Sequence, residues 1–255
     1  MIMSEKYAAI EESLHKIADV DQSGYGLNAI LAMTENLQIN RGEGVLAGLP
    51  VVIKDNIEAI GLPATAGSLA LTGRKVERDS TIAARLRTAG ATIIASTNLS
   101  EWANIRSNKS TSGWSAVGGL TANPWKFSHS AGGSSSGSGA AVAAGLVSMA
   151  VGSETDGSIV CPASLNGCVG IKPTVGSIPR DSMIPISASQ DSPGPMAQTV
   201  RQSALLLDVL TSKSVFLKAA DATGSLKIGV VKEWVTNNSG TNEVFQELLK
   251  KLAKA

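Results

Sequence analysis

The 255-residue chain is poor in several residue types, and each shortage narrows what it can do. Two cysteines, Cys161 and Cys168, are too few for a disulfide framework. No set of histidines and cysteines stands at zinc-ligand spacing, so two reduced thiols and neither metal nor cofactor are expected. There are two histidines, His15 and His129. Aromatic residues make up 4% against 26 glycines, which points to a core of small and aliphatic side chains with many tight turns. Neither sign of charge dominates: 22 basic and 21 acidic residues leave a net charge of +1, without a broad field to attract nucleic acid or an anionic membrane. The longest apolar run, residues 140–147, is too short to cross a bilayer. The N-terminal MIMSEKYAAIEESLHKI is charged and amphipathic rather than a secretory leader. A soluble, cytoplasmic protein is therefore expected. With 43% apolar and 17% charged residues it should fold around a core rather than remain disordered.

What the chain has in quantity is glycine and serine in one place. From His129 it reads HSAGGSSSGSGAAVAAGLVSMAVGSETDGSIVCP. A flexible linker would resemble the Gly132 to Gly139 run alone. It would not continue into the alanine-rich segment 140–147, which reads as a buried helix. Residues 149–152 follow as a short buried strand, and the chain turns again at Thr155-Asp156-Gly157-Ser158. Two serine-bearing turns are thus held at opposite ends of a packed helix–strand unit. Glycines let the backbone approach a ligand closely. Successive N–H groups in such a turn can converge on an oxyanion. Serine supplies a hydroxyl that becomes nucleophilic once a neighbour takes its proton.

These residues resemble the amidase signature family, serine hydrolases that use Ser–Ser–Lys. The resemblance rests on Gly132-Gly133-Ser134-Ser135-Ser136-Gly137, the small-residue run to Gly152, Glu154-Thr155-Asp156-Gly157-Ser158-Ile159 and Pro162. It covers about residues 30–210. The wording Asn98-Leu99-Ser100-Glu101-Trp102-Ala103-Asn104 and Ser189-Gln190-Asp191-Ser192-Pro193-Gly194-Pro195-Met196 is most similar to the peptide amidase branch. The resemblance implies Ser158 as nucleophile and Ser134 as bridging serine, on a cis peptide after Gly133. It puts the oxyanion hole on the N–H groups of Thr155, Asp156, Gly157 and Ser158. It also raises Lys54, which ends the apolar segment Leu49-Pro50-Val51-Val52-Ile53. By itself such a lysine is most simply a surface terminus. In the family's setting it would be buried and neutral, taking the Ser158 proton through Ser134 and returning it to the leaving amine. Many members carry Gly where this chain has Asp156 and Arg where it has Val160. Asp156 is expected to contact a substrate N–H.

The implied activity is hydrolysis of a carboxylic or peptide C-terminal amide through an acyl-enzyme on Ser158, with a small-molecule or peptide amide as partner. Two rivals stand beside it. One is a shortened, catalytically inactive amidase-like binding protein. The other takes Gly133-Ser134-Ser135-Ser136-Gly137 as a nucleophile elbow with Ser135 attacking, but that fold needs a histidine after the serine, and both histidines precede it.

Along the chain, residues 5–20 read as an amphipathic helix with Tyr7, Ile10, Leu14 and Ile17 on one face. Residues 27–37 read as a second helix, 46–53 as a turn and buried strand, and 79–89 as a helix capped by Asp79 or Ser80. Residues 91–96 read as a strand, 97–125 as a polar and aromatic loop, and 169–174 as strand to loop. Residues 187–196 read as a loop, 198–210 as a helix, 226–231 as a strand, and 241–252 as an amphipathic helix. Trp102, Trp114 and Trp125 could line a peptide cleft, with Trp114 taken as substrate-binding, or simply pack under the loop. The fold class is α/β: a mixed β-sheet core flanked by helices, in one domain over 1–255, with a C-terminal part shorter than the family's usual one.

Overall fold

The computed structural model describes residues 5–23, 26–224, 226–231 and 238–254. Contacts divide the chain into two compact units, one running to Asp221 and the other starting at Ala222. Among the described residues the strands are β1 (Ile30–Met33), β2 (Pro50–Lys54), β3 (Thr92–Thr97), β4 (Trp114–Ser115), β5 (Gly119–Leu120), β6 (Met149–Glu154), β7 (Val169–Gly170) and β8 (Ser192–Ala197). The helices are α1 (Ala8–Lys16), α2 (Thr81–Thr88), α3 (Ser136–Ala143), α4 (Val160–Asn166), α5 (Val200–Thr211), α6 (Phe216–Ala220) and α7 (Ser239–Leu252). None is long and apolar enough to cross a membrane.

Six strands form one mixed sheet in the order β1-β3-β2-β6-β8-β7, with β3, β2 and β6 parallel and the outer pairs antiparallel. Because strand side chains alternate between faces, β2 feeds two cores. Val51 and Ile53 join Ile82, Leu86, Leu206 and Leu210 of α2 and α5 on one face. Val52 joins Ile10, Ala140, Ala141 and Val142 of α1 and α3 on the other. Lys54 shares the parity of Val52, which directs it toward the α3 side.

Several elements among the described residues differ from the sequence expectation. Residues 27–37 contain β1 rather than a helix. The Asp21 carboxylate accepts the N–H groups of Ala29 (2.6 Å) and Ile30 (3.1 Å), and Asn28 has φ 53°, so a helical start is blocked. Residues 192–197, expected in a loop, form β8 despite Pro193 and Pro195. The Pro195 carbonyl faces Ile171 N (3.1 Å) on the side of the two-residue β7, so the missing N–H falls where the ladder is short. In the second unit, α7 covers the expected helix, N-capped by the Asn238 side chain on Thr241 N (3.0 Å). Residues 226–231, expected as a strand, lie outside every strand among the described residues.

Candidate active site

The site assembles where β2 and β6 end on the sheet face that carries α3. Helix α3 begins at Ser136, inside the glycine–serine run and ahead of the expected residue 140. The reason is close packing: a methyl on Gly137 would lie 2.2 Å from the Ala29 carbonyl oxygen and 2.6 Å from Asn98 N. The glycine is there for contact rather than for flexibility. The same approach brings Ser134 and Ser135 against the sheet. The Gly133–Ser134 peptide is cis, and the Ser134 carbonyl accepts Ser100 N (3.1 Å).

Lys54 is completely buried. Its Nζ donates to Ser134 Oγ (2.7 Å), Ser153 Oγ (3.0 Å) and the Ser153 carbonyl (3.1 Å). Burial lowers its pKa from 10.5 to about 7, against the opposing fields of Glu154 and Asp191. Asn56 sits beside Ser153, with Nδ2 at 3.0 Å and Oδ1 at 3.3 Å from its Oγ.

Ser158 is half-buried on the turn after β6. It lines a narrow cleft with Ser134, Ser153, Asn56, Thr155 and Asp191, walled by Met183, Ile184 and Ile186. Its main chain is tied to the bridging segment, because Ser135 N donates to the Ser158 carbonyl (3.1 Å).

The turn is held by a residue to which the sequence alone assigns no role. Glu154, almost fully buried, accepts Gly157 N (2.9 Å) on Oε1 and the N–H groups of Ile159 (2.7 Å) and Val160 (2.9 Å) on Oε2. It thereby caps α4, an element absent from the sequence expectation, from six residues upstream. Asp191 closes the other side. Its Oδ1 accepts the Thr155 hydroxyl (2.6 Å), while Oδ2 accepts Ile186 N (2.8 Å) and Ser187 N (3.0 Å). Lys172 Nζ donates to the Thr155 carbonyl (2.5 Å). The one signal for Glu154 in the sequence is an acidic residue at the end of an apolar strand, and for Asn56 a polar residue two positions past Lys54.

Other expected residues fall as follows. Of the four turn N–H groups, that of Gly157 is taken by Glu154, whereas those of Thr155, Asp156 and Ser158 have no partner among the described residues. Asp156 is exposed and does not line the cleft. Trp114 lines a separate groove with Glu101, Arg106 and Lys109. Trp102 lies in the turn Glu101–Asn104 with φ 52°, and Trp125 Nε1 donates to the Asn166 carbonyl (2.6 Å). None of the three tryptophans lines the cleft of Ser158. Ser135 is fully buried, its Oγ bonded to the Ser153 carbonyl (3.1 Å) and Ser153 N (3.2 Å), which removes it as a nucleophile open to substrate.

Comparison with known proteins identifies the family. The native peptide amidase of Stenotrophomonas maltophilia superposes with a TM-score of 0.79 at 45% identity, over 88% of this chain and 48% of that one. A probable amidase of Arabidopsis thaliana is 42% identical over 81% of this chain and 40% of its own length. A glutamyl-tRNA(Gln) amidotransferase component of Methanosarcina acetivorans is 40% identical over 80% and 44%. The chain spans less than half the length of each. The family model Amidase matches residues 8–255, nearly all of the sequence. The chain belongs to the amidase family.

Proposed function

We propose that the chain carries the acylating site of a serine amidase that cleaves a carboxylic or peptide C-terminal amide. The observation that carries the reading is a completely buried Lys54 whose Nζ lies 2.7 Å from the Oγ of Ser134, which lines one cleft with Ser158. Ser158 Oγ attacks the amide carbonyl, and its proton passes through Ser134 to neutral Lys54. With a pKa of about 7, Lys54 is substantially neutral at physiological pH and still acidic enough to return the proton to the leaving amine. The N–H groups of the 155–158 turn stabilise the oxyanion, those without a partner among the described residues doing so at no cost to the bonds described there. Amine or ammonia leaves, and water hydrolyses the acyl-enzyme by the same relay. Asp156, exposed on the same turn, is read as accepting a substrate N–H from the solvent side. The likeness to the Stenotrophomonas peptide amidase supports a peptide amide as substrate.

The test is fluorophosphonate labelling of the purified chain, with the adduct located by mass spectrometry. The expected adduct is on Ser158, and it should fall by several orders of magnitude in Lys54→Ala, since members of such a unit act together. An undiminished rate in Lys54→Ala would discard the relay. A folded chain that takes up no label would favour an inactive binding protein.

A further inference from the structure

Lys54 has three oxygen neighbours, and the relay works with only one arrangement of its hydrogens. A neutral amine has two N–H bonds and one lone pair. The Ser153 carbonyl, 3.1 Å away, can only accept and so takes one N–H. The Ser153 hydroxyl, 3.0 Å away, can accept the second N–H or give its own proton to the lone pair. In the second case the lone pair is consumed and cannot receive the proton of Ser134. Asn56 decides between them. Its amide meets Ser153 Oγ with Nδ2 at 3.0 Å and Oδ1 at 3.3 Å; only with Oδ1 taking the hydroxyl proton does the oxygen face Lys54 as an acceptor and leave the lone pair free. Both N–H bonds of the amine then point at Ser153, and its lone pair lies on the shortest of the three contacts, the 2.7 Å approach to Ser134 Oγ.

We propose that Ser153 and Asn56 are positioning residues that orient the neutral Lys54 amine, aiming its lone pair at Ser134. The inference rests on the amidase reading above. The charged groups whose fields reach Lys54 are Glu154, at the end of β6, and Asp191, just before β8. Helix α3 and strand β3, which also pack against β2, contribute none. Asp55, next in the chain, is engaged by Thr65 N (2.8 Å) and the Thr65 hydroxyl (2.5 Å). All of these groups stay in place in the variants below.

The test is the pH dependence of the rate at which a fluorophosphonate probe labels Ser158 in the full chain. The wild-type rate is expected to rise through an inflection near pH 7. Ser153→Ala removes a hydrogen-bond acceptor from the ammonium form, so the inflection moves to lower pH. Its plateau rate should drop about 10–100-fold because the lone pair is no longer aimed. Ser153→Thr keeps the hydroxyl and should recover both. Asn56→Asp sets a carboxylate beside Ser153 and should move the inflection the opposite way, to higher pH. A merely structural role would lower stability or rate without moving the inflection in opposite directions. Melting temperatures are read alongside, and should Ser153→Ala not fold, the alkaline shift in Asn56→Asp carries the test. Inflections that stay at the wild-type pH in both variants, or a Ser153→Thr rate as low as that of Ser153→Ala, overturn this inference and leave the relay standing. A wild-type chain without label at Ser158 overturns the amidase reading and this inference together.

Discussion

At the scale of single residues, Lys54 ties stability to the proton that the proposed relay would move. In the unfolded chain it titrates near 10.5, and in the folded chain near 7. Between those values the unfolded state binds more protons, so this residue makes stability rise with pH across the window. As pH falls through about 7, the buried amine must be charged or the chain must open, and that contribution is lost. Lys54→Met removes the titrating group while keeping an unbranched side chain of similar length. Urea unfolding from pH 7 to pH 10 should therefore show the wild-type free energy climbing relative to Lys54→Met. A constant difference would mean that Lys54 keeps its ordinary pKa in the folded chain. Lys54 was legible in the sequence as a lysine ending an apolar strand. Its burial is legible only through the family resemblance, because it depends on partners such as Ser134, 80 residues away in the chain.

At the scale of elements, two helix caps offer a contrast. Thr199 caps α5 in a reciprocal box with Gln202, far along the chain from the cleft. Thr199→Ala should cost about 1 kcal/mol and leave Ser158 labelling intact. Glu154 caps α4 while also holding Gly157. Glu154→Ala strands three N–H groups, which should cost about 1–3 kcal/mol and abolish labelling because the turn loses its shape. Calorimetry and the labelling rate, measured on both variants, separate the two roles. The same contrast explains what the sequence disclosed. Elements written in local signals were legible: α1 from its apolar spacing, α2 from Ser80 ahead of it, β2, β3 and β6 from unbroken apolar runs. Elements decided by distant partners were not. β1 depends on the Asp21 carboxylate, α4 on a cap from the far side of a turn, and β8 on which edge of the sheet its prolines face. Lys54, Ser134 and Ser158 lie in stretches that a motif marks, whereas Glu154, Asn56 and Ser153 meet the cleft through contacts that no spacing announces. Trp114 was chosen for its chemistry alone, and the fold carries it into another groove.

For the molecule as a whole, 22 basic and 21 acidic residues bear on which relative it follows. If its amide were borne on a transfer RNA, as the name of the Methanosarcina relative invites, phosphate contacts would have to come from this chain or from a companion protein. By itself, at about 150 mM salt, it should bind transfer RNA no more tightly than about 100 µM in a filter assay. Tighter retention that weakens steeply with salt would favour the RNA-linked substrate over a free peptide amide. The main-chain bond from Ser135 N to the Ser158 carbonyl has a practical consequence for the same question. It couples the two serine-bearing turns through backbone, so neither the Ser134 nor the Ser158 hydroxyl is needed to keep them in register. On the proposed reading, Ser158→Ala should be a disarmed chain with an intact cleft: a bait expected to retain an amide without turning it over, from which that amide can be eluted and identified.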